Sequence, residues 1–206
     1  MELDHVVIAV GDLDSAAREF ADRHGLDSVE GGRHPTLGTG NRIVPLGDTY
    51  LELVTVVDPE LASRNPFGRM VGSVRGTGQR PICWVVRTSE LDDAARRNEL
   101  PVTEGSRTTP DGRVIGWRMA GIDRAMAEPS LPFLIEWAPG TPYPGREPTA
   151  NRWRIAEIRL RGAGERLHAW LGDHAIPIAV EAGEPALTGV VLAAGEETTV
   201  IDFDQA

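Results

Sequence analysis

A strand-and-helix unit is written twice in this chain. LDHVVIAVGDLDSAAR begins at Leu3, and PICWVVRTSELDDAAR begins at Pro81. Leu13, Asp14, Ala16, Ala17 and Arg18 stand in register with Leu91, Asp92, Ala94, Ala95 and Arg96, a constant offset of 78 positions. Each copy is an apolar, β-branched run of strand length, an acidic turn, and then apolar residues at helical spacing. A unit of this kind cannot cover its own sheet face, so two copies in one chain predict a paired structure. The register also sets Cys83 opposite His5.

The rest of the chain fills out the modules. After a strand over 3–10, Asp12 is placed to cap a helix that Gly25 ends. Gly-rich turns then separate extended pieces up to a strand over 49–57, giving β-α-β-β-β. A connector over 58–79 is expected to be helical around 60–63 and 67–74. The second copy reads as a strand over 82–87, a helix over 91–100 and strands over 102–105, 114–120 and 133–137. Residues 138–152 are dense in proline and glycine and read as a linker. A third β-α-β-β-β pattern follows: a strand over 153–160, a helix over 163–171, and strands over 176–181, 186–193 and 198–203. Ile155 holds its His5-equivalent place. The expected fold class is α+β. Paired βαβββ modules (1–57 and 80–137, together 1–137) form a curved mixed sheet around a cup, and a third, diverged βαβββ-like unit spans 153–206. That last sheet needs a cover, either its own chain or a second copy in a homodimer.

Charge narrows the partners. The chain carries 31 acidic against 21 basic residues, a formal net of −10, which disfavours nucleic acid. It holds no apolar run of membrane length and no signal-like start, and a sole cysteine forms no internal disulfide. The expectation is a cytoplasmic protein without membrane or nucleic-acid partners. No phosphate-binding glycine loop, nucleophile elbow or zinc-finger spacing occurs.

Strand alternation places His5, Val7 and Ala9 on one face, and Tyr50, Glu52 and Val54 on one face. Glu52 and Glu136 interrupt the apolar strands YLELV and FLIEW. A buried carboxylate needs a cation, a basic partner or a raised pKa, and Arg87 or Arg118 could be that partner. In HPTLGTGN, His34 offers an imidazole, Thr39 a hydroxyl and Asn41 an amide, with glycines that admit close backbone approach. His34 is a substrate-contact or general-base candidate; Thr39 and Asn41 equally suit turn chemistry. Arg87 shares the face of Cys83, so it is expected in the cup, where a guanidinium could clamp a carboxylate. Arg107 and Arg118 are the other basic candidates. Trp117 and Trp137 are placed to line a pocket mouth.

These motifs, DHVVIAVGDLDSA, GGRHPTLGTGNRIVPLGDTYLELV, RPICWVVRTSELDDAA and LPFLIEW, resemble the vicinal oxygen chelate superfamily and, within it, the glyoxalase-like domain subgroup. The resemblance covers residues 3–137. It implies a divalent metal (zinc, nickel, iron, manganese or magnesium) in the cup, held by His5, Glu52 and Glu136. Cys83 stands at the fourth position, where a small buried hydrophobe is the first reading. With the residue reading above, Glu136, Glu52 and His34 are the expected catalytic residues, and Arg87, Asn41, Thr39 and Trp137 the expected substrate contacts. The implied activity is lyase or isomerase chemistry on a small oxygen-rich molecule. The alternative is a metal-free protein that sequesters such a molecule in the same cup.

Overall fold

The computed structural model describes residues 1–74 and 78–203. The connector positions 75–77 and the end of the third unit, 204–206, lie outside the described residues. The first module runs β1 (Glu2–Ala9), α1 (Leu13–His24), β2 (Val29–His34), β3 (Thr39–Pro45) and β4 (Tyr50–Val56). Asp12 caps α1 by accepting from the Ser15 amide at 2.8 Å, and Gly25 closes it at φ 62°, a left-handed conformation that favours glycine. The connector carries α2 (Pro59–Ser63) and α3 (Pro66–Gly72), each opened by a proline in its first turn. The second module runs β5 (Arg80–Arg87), α4 (Leu91–Arg97), β6 (Val102–Thr108), β7 (Val114–Ala120), α5 (Ile122–Ala127) and β8 (Phe133–Trp137). The helix α5 was not expected; it begins at Gly121, held at φ 94°.

The eight strands close into a barrel in the order β1-β4-β3-β2-β6-β7-β8-β5. Read from each first strand, both modules have the same order, and β1 runs parallel to β4 as β5 does to β8. Two seams join them. The β1–β5 seam is antiparallel along almost its whole length. The β2–β6 seam pairs Arg33 with Thr108. Gly32 makes that approach feasible, because a Cβ there would lie 2.1 Å from the Thr108 carbonyl oxygen.

The third unit comprises β9 (Arg154–Arg161), α6 (Gly164–Leu171), β10 (Ile178–Glu181), β11 (Ala186–Ala194) and β12 (Glu197–Asp202). Its element order repeats β-α-β-β-β. Its strand order, β10-β9-β11-β12, differs from that of the barrel modules, because β9 pairs in parallel with the second strand of its unit rather than the last. Its cover is its own chain. Ile155, Ile158, Leu167, Trp170, Val190 and Leu192 share one apolar cluster with the outward side chains Val6, Ile8, Leu51, Leu53, Trp84 and Val86 of the barrel. Trp84 and Trp170 donate to the carbonyls of Ser130 and Pro132 at 3.1 and 3.0 Å, so barrel and third unit grip the same loop.

A second cluster fills part of the barrel interior. It joins Val7, Ala9, Val54, Cys83 and Val85 to Phe67, Met70 and Val71 of α3 and Ala125 of α5. What remains of the interior is polar. Among the described residues, no helix is long and apolar enough to cross a membrane.

Candidate active site

The polar part of the barrel is a chamber of about 40 Å³ lined by His5, His34, Asn41, Tyr50, Glu52 and Arg107, with Leu37, Phe67, Trp117, Met119, Phe133, Ile135 and Trp137 completing its walls. By this measure one water needs roughly 10–15 Å³, so the chamber has room for about three waters or one small molecule. Trp117 and Trp137 also line a much larger open groove of about 1320 Å³ on the outside. Their rings meet edge to face at 5.6 Å, so they stand between groove and chamber.

Module one supplies most of the polar side chains of the chamber. His5 ↔ Tyr50 and Val7 ↔ Glu52 are neighbours in the parallel β1–β4 ladder, which sets His5 and Glu52 on the inner face. The His5 ring stacks on Tyr50 at 4.4 Å. Its Nδ1 lies 2.6 Å from Asp4 Oδ1 and its Nε2 lies 3.5 Å from Glu52 Oε2. Asp4 is fully buried; the ladder with β4 begins after it at His5, and in the ladder with β5 it is skipped because the register slips between Leu3 and His5. Such a bulge re-aims a side chain out of simple alternation. Trp137 Nε1 donates to the other Asp4 oxygen at 2.9 Å.

On the other side of Glu52 stands His34, with Nε2 3.7 Å from Oε1. Asn41 Nδ2 donates to Glu52 Oε1 at 2.6 Å and lies 3.4 Å from His34 Nε2. The His34 Nδ1 is 2.8 Å from Thr39 Oγ1. This network gives His34 a proton on Nδ1 and a lone pair on Nε2.

The same three residues titrate in opposite directions. For His5, burial opposes the charged ring, but hydrogen bonds to Asp4 and Glu52 and their negative charges outweigh it, and the pKa is raised. For His34, burial dominates, helped by the charges of Arg107 and His5 against the pull of Glu52, and the pKa is lowered. For Glu52, burial again opposes the charge. The hydrogen bond from His5, the two histidine charges and Asn41 prevail and hold the carboxyl at about 2.

A pH dependence of stability follows. Glu52 has a depressed folded-state pKa, so its contribution is present above the unfolded value of 4.5 and is lost as pH falls towards about 2. The loss is roughly 3 kcal/mol. His34, also depressed, begins to cost stability below its unfolded value of 6.5, in the same direction. His5 has the opposite sign: its contribution is present below 6.5 and fades as pH rises through its raised value. Urea unfolding at stepped pH is expected to show the acid limb in the natural protein. In Glu52→Gln the part of that limb between about pH 5 and 2 should flatten; an unchanged limb would place its origin elsewhere.

Several expected residues lie away from the chamber. Glu136 is not with His5 and Glu52. Along β8 the inward residues are Phe133, Ile135 and Trp137, so Glu136 faces outward and accepts from Arg118 at 2.8 Å in the groove wall. Arg87 is not in the chamber either. It sits in the groove, bonded to Glu2, to the carbonyls of Leu3 and Asp48, and to the Tyr143 hydroxyl, 3.8 Å from Asp4. Cys83 is inside but belongs to the apolar cluster, and burial pushes its thiol well above its ordinary pKa. Thr39 and Asn41 touch His34 and Glu52 directly. Trp137 spans chamber and groove. Asp4 and the chamber position of Arg107 went unforeseen: one sits on a bulge, the other in a strand, VTEGSRT, that reads as solvent-facing.

The four-ligand metal centre implied by the resemblance does not fit these residues. Module two offers a protonated buried thiol and an outward, ion-paired carboxylate. In module one, Glu52 is engaged by Asn41 and faces His5, and the far nitrogen of His5 is given to Asp4. Among the described residues no group of three or more His, Cys, Asp or Glu side chains is arranged to hold a metal ion.

Comparison with known proteins agrees on the fold. A family model described as a glyoxalase-like domain matches residues 3–175, past the barrel and through α6. A hypothetical protein from Staphylococcus aureus has a similar structure at a TM-score of 0.73 and 14% identity, over 95% of this chain and 92% of that one. Methylmalonyl-CoA epimerase from Mycobacterium tuberculosis matches at a TM-score of 0.47 and 20% identity, over 67% of this chain and 87% of that one. No curated protein matches the sequence.

Proposed function

The chain belongs to the glyoxalase-like domain family of the vicinal oxygen chelate superfamily, and from that premise we propose that it is a proton-transfer enzyme, of the isomerase or lyase kind, acting on a small carbonyl compound in the chamber. The observation that carries this reading is the pair of histidines on either side of Glu52, whose pKa values are moved in opposite directions. Two titratable groups driven apart in one site are the signature of an acid and a base. His34 Nε2 takes a proton from the carbon next to the carbonyl. The C–H electron pair becomes the C=C bond, and the carbonyl π pair moves to oxygen. His5 Nε2 then gives its proton to that oxygen, and an enol results. Glu52 stabilises the imidazolium as it forms on His34, and Asp4 holds His5 in its charged, oriented form. No step is assigned to a metal.

A sequestering protein is the second reading. The closure of the chamber by Trp117 and Trp137 favours it. Proton NMR in D₂O separates the two. With pyruvate and with hydroxyacetone as probes, the enzyme reading expects deuterium to enter the methyl group or the carbon beside the carbonyl faster than in buffer. Binding without exchange for both probes would leave the sequestering reading standing and overturn the enzyme.

A further inference from the structure

Beyond the charge by which it helps lower the His34 pKa, Arg107 has no role in the proton transfer as derived, yet its position is costly. It comes from β6, is 4% exposed and lines the chamber. Among the described residues its side chain makes no ion pair and no hydrogen bond, and its Nε is buried without a partner. A guanidinium cannot escape by losing its proton, so an unpaired one in an aromatic wall destabilises the free protein. Asn41 is incomplete in the same place: its amide donates to Glu52, but its Oδ1 is buried without a partner. The two converge over Gly31. A Cβ at that residue would lie 2.1 Å from Asn41 Oδ1 and 3.0 Å from Arg107 Nη1, so glycine is what lets both side chains reach into the chamber.

An unsatisfied cationic donor beside an unsatisfied neutral acceptor specifies a complementary ligand. We propose that Arg107 binds the carboxylate of a small 2-oxo carboxylate, and that Asn41 Oδ1 accepts the hydroxyl this substrate presents in its enol form. The carboxylate part rests on the chamber geometry alone; the enol part rests on the proton-transfer reading. Arg107 supplies a planar, bidentate match to a carboxylate. Asn41 Oδ1 gains its partner only as the hydroxyl forms, an interaction stronger along the reaction than in the ground state. A molecule the size of pyruvate suits the chamber volume, and Trp117 and Trp137 close behind it.

The test is a titration of the whole protein followed by tryptophan fluorescence, with oxalate as a planar mimic of an enolised 2-oxo carboxylate, pyruvate as the ground state and hydroxyacetone as the uncharged control. Saturable binding of oxalate and pyruvate, with hydroxyacetone at least tenfold weaker, is expected. In Arg107→Met, oxalate affinity should fall at least tenfold while the unliganded protein melts a few degrees higher, because a buried unpaired charge has gone. Arg107→Lys should keep part of the affinity. Unaltered oxalate binding in Arg107→Met, a lower melting temperature for that variant with Arg107→Lys also unable to bind, or no anion binding by the natural protein would each overturn the assignment. Exchange into pyruvate is read separately. Its failure with Arg107-dependent oxalate binding intact removes the proton-transfer reading and leaves the carboxylate site.

Discussion

Replacing His34 by alanine is expected to slow deuterium exchange into the probe by about 10²- to 10⁴-fold, the usual contribution of a positioned general base. The loss should fall on turnover rather than affinity, since the ring donates to Thr39 and offers only a lone pair to the chamber. Oxalate binding should therefore stay within about threefold of the natural protein. Added imidazole, small enough for the vacated space, should restore part of the rate. Under the assignment, the rate of the natural protein rises with pH through the lowered pKa of His34 and falls through the raised pKa of His5. The rising limb should vanish in the variant. Exchange that survives His34→Ala at a tenth of its rate or better would give the base role to another group.

The largest effect on stability is expected at Trp84. Its side chain is fully buried on the outward face of β5, inside the cluster that joins barrel and third unit. Trp84→Ala should cost about 3–5 kcal/mol through lost burial and the cavity left behind. It also strips the Ser130 carbonyl of its donor. Because Trp170 grips the same loop from the other side, barrel and third unit should lose stability together, in one unfolding transition seen equally by circular dichroism and fluorescence. Two separated transitions, or a loss under about 1 kcal/mol, would mean that the shared cluster does not couple them.

Much of this architecture was legible in the sequence, and the reasons for the remainder are specific. The module repeat shows in the register of Leu13 with Leu91. His5 and Glu52 could be read because each stands next to a run of apolar residues, Val6 to Val10 and Leu53 to Val54, and alternation then fixes their common face. The same reasoning failed at Glu136. In FLIEW the outward Leu134 is as buried as the inward Phe133 and Ile135, so the apolar run sets no phase, and Glu136 falls on the outer face where the strand reaches the groove. Arg107 was hidden by the reverse situation: Val102, Thr103 and Glu104 beside it are exposed, and the small residue that makes room for it, Gly31, lies on another strand. Asp4 was hidden by a bulge, which shifts alternation without a local sequence mark. The strand order of the third unit depends on long-range pairing, about which hydrophobic periodicity is silent.

The two seams of the barrel differ in kind. From Glu2 with Arg87 to Ala9 with Arg80, β1 and β5 are laced along their length, whereas β2 meets β6 at Arg33 with Thr108. A cylinder closed by one long seam and one short one is mechanically a clasp: its hinge is the laced side and its catch is the short side. Arg107 precedes the catch residue Thr108, so the wall that yields first carries the unpaired cation. Amide hydrogens of β2 and β6 that face this short seam are therefore expected to exchange faster than those laced between β1 and β5.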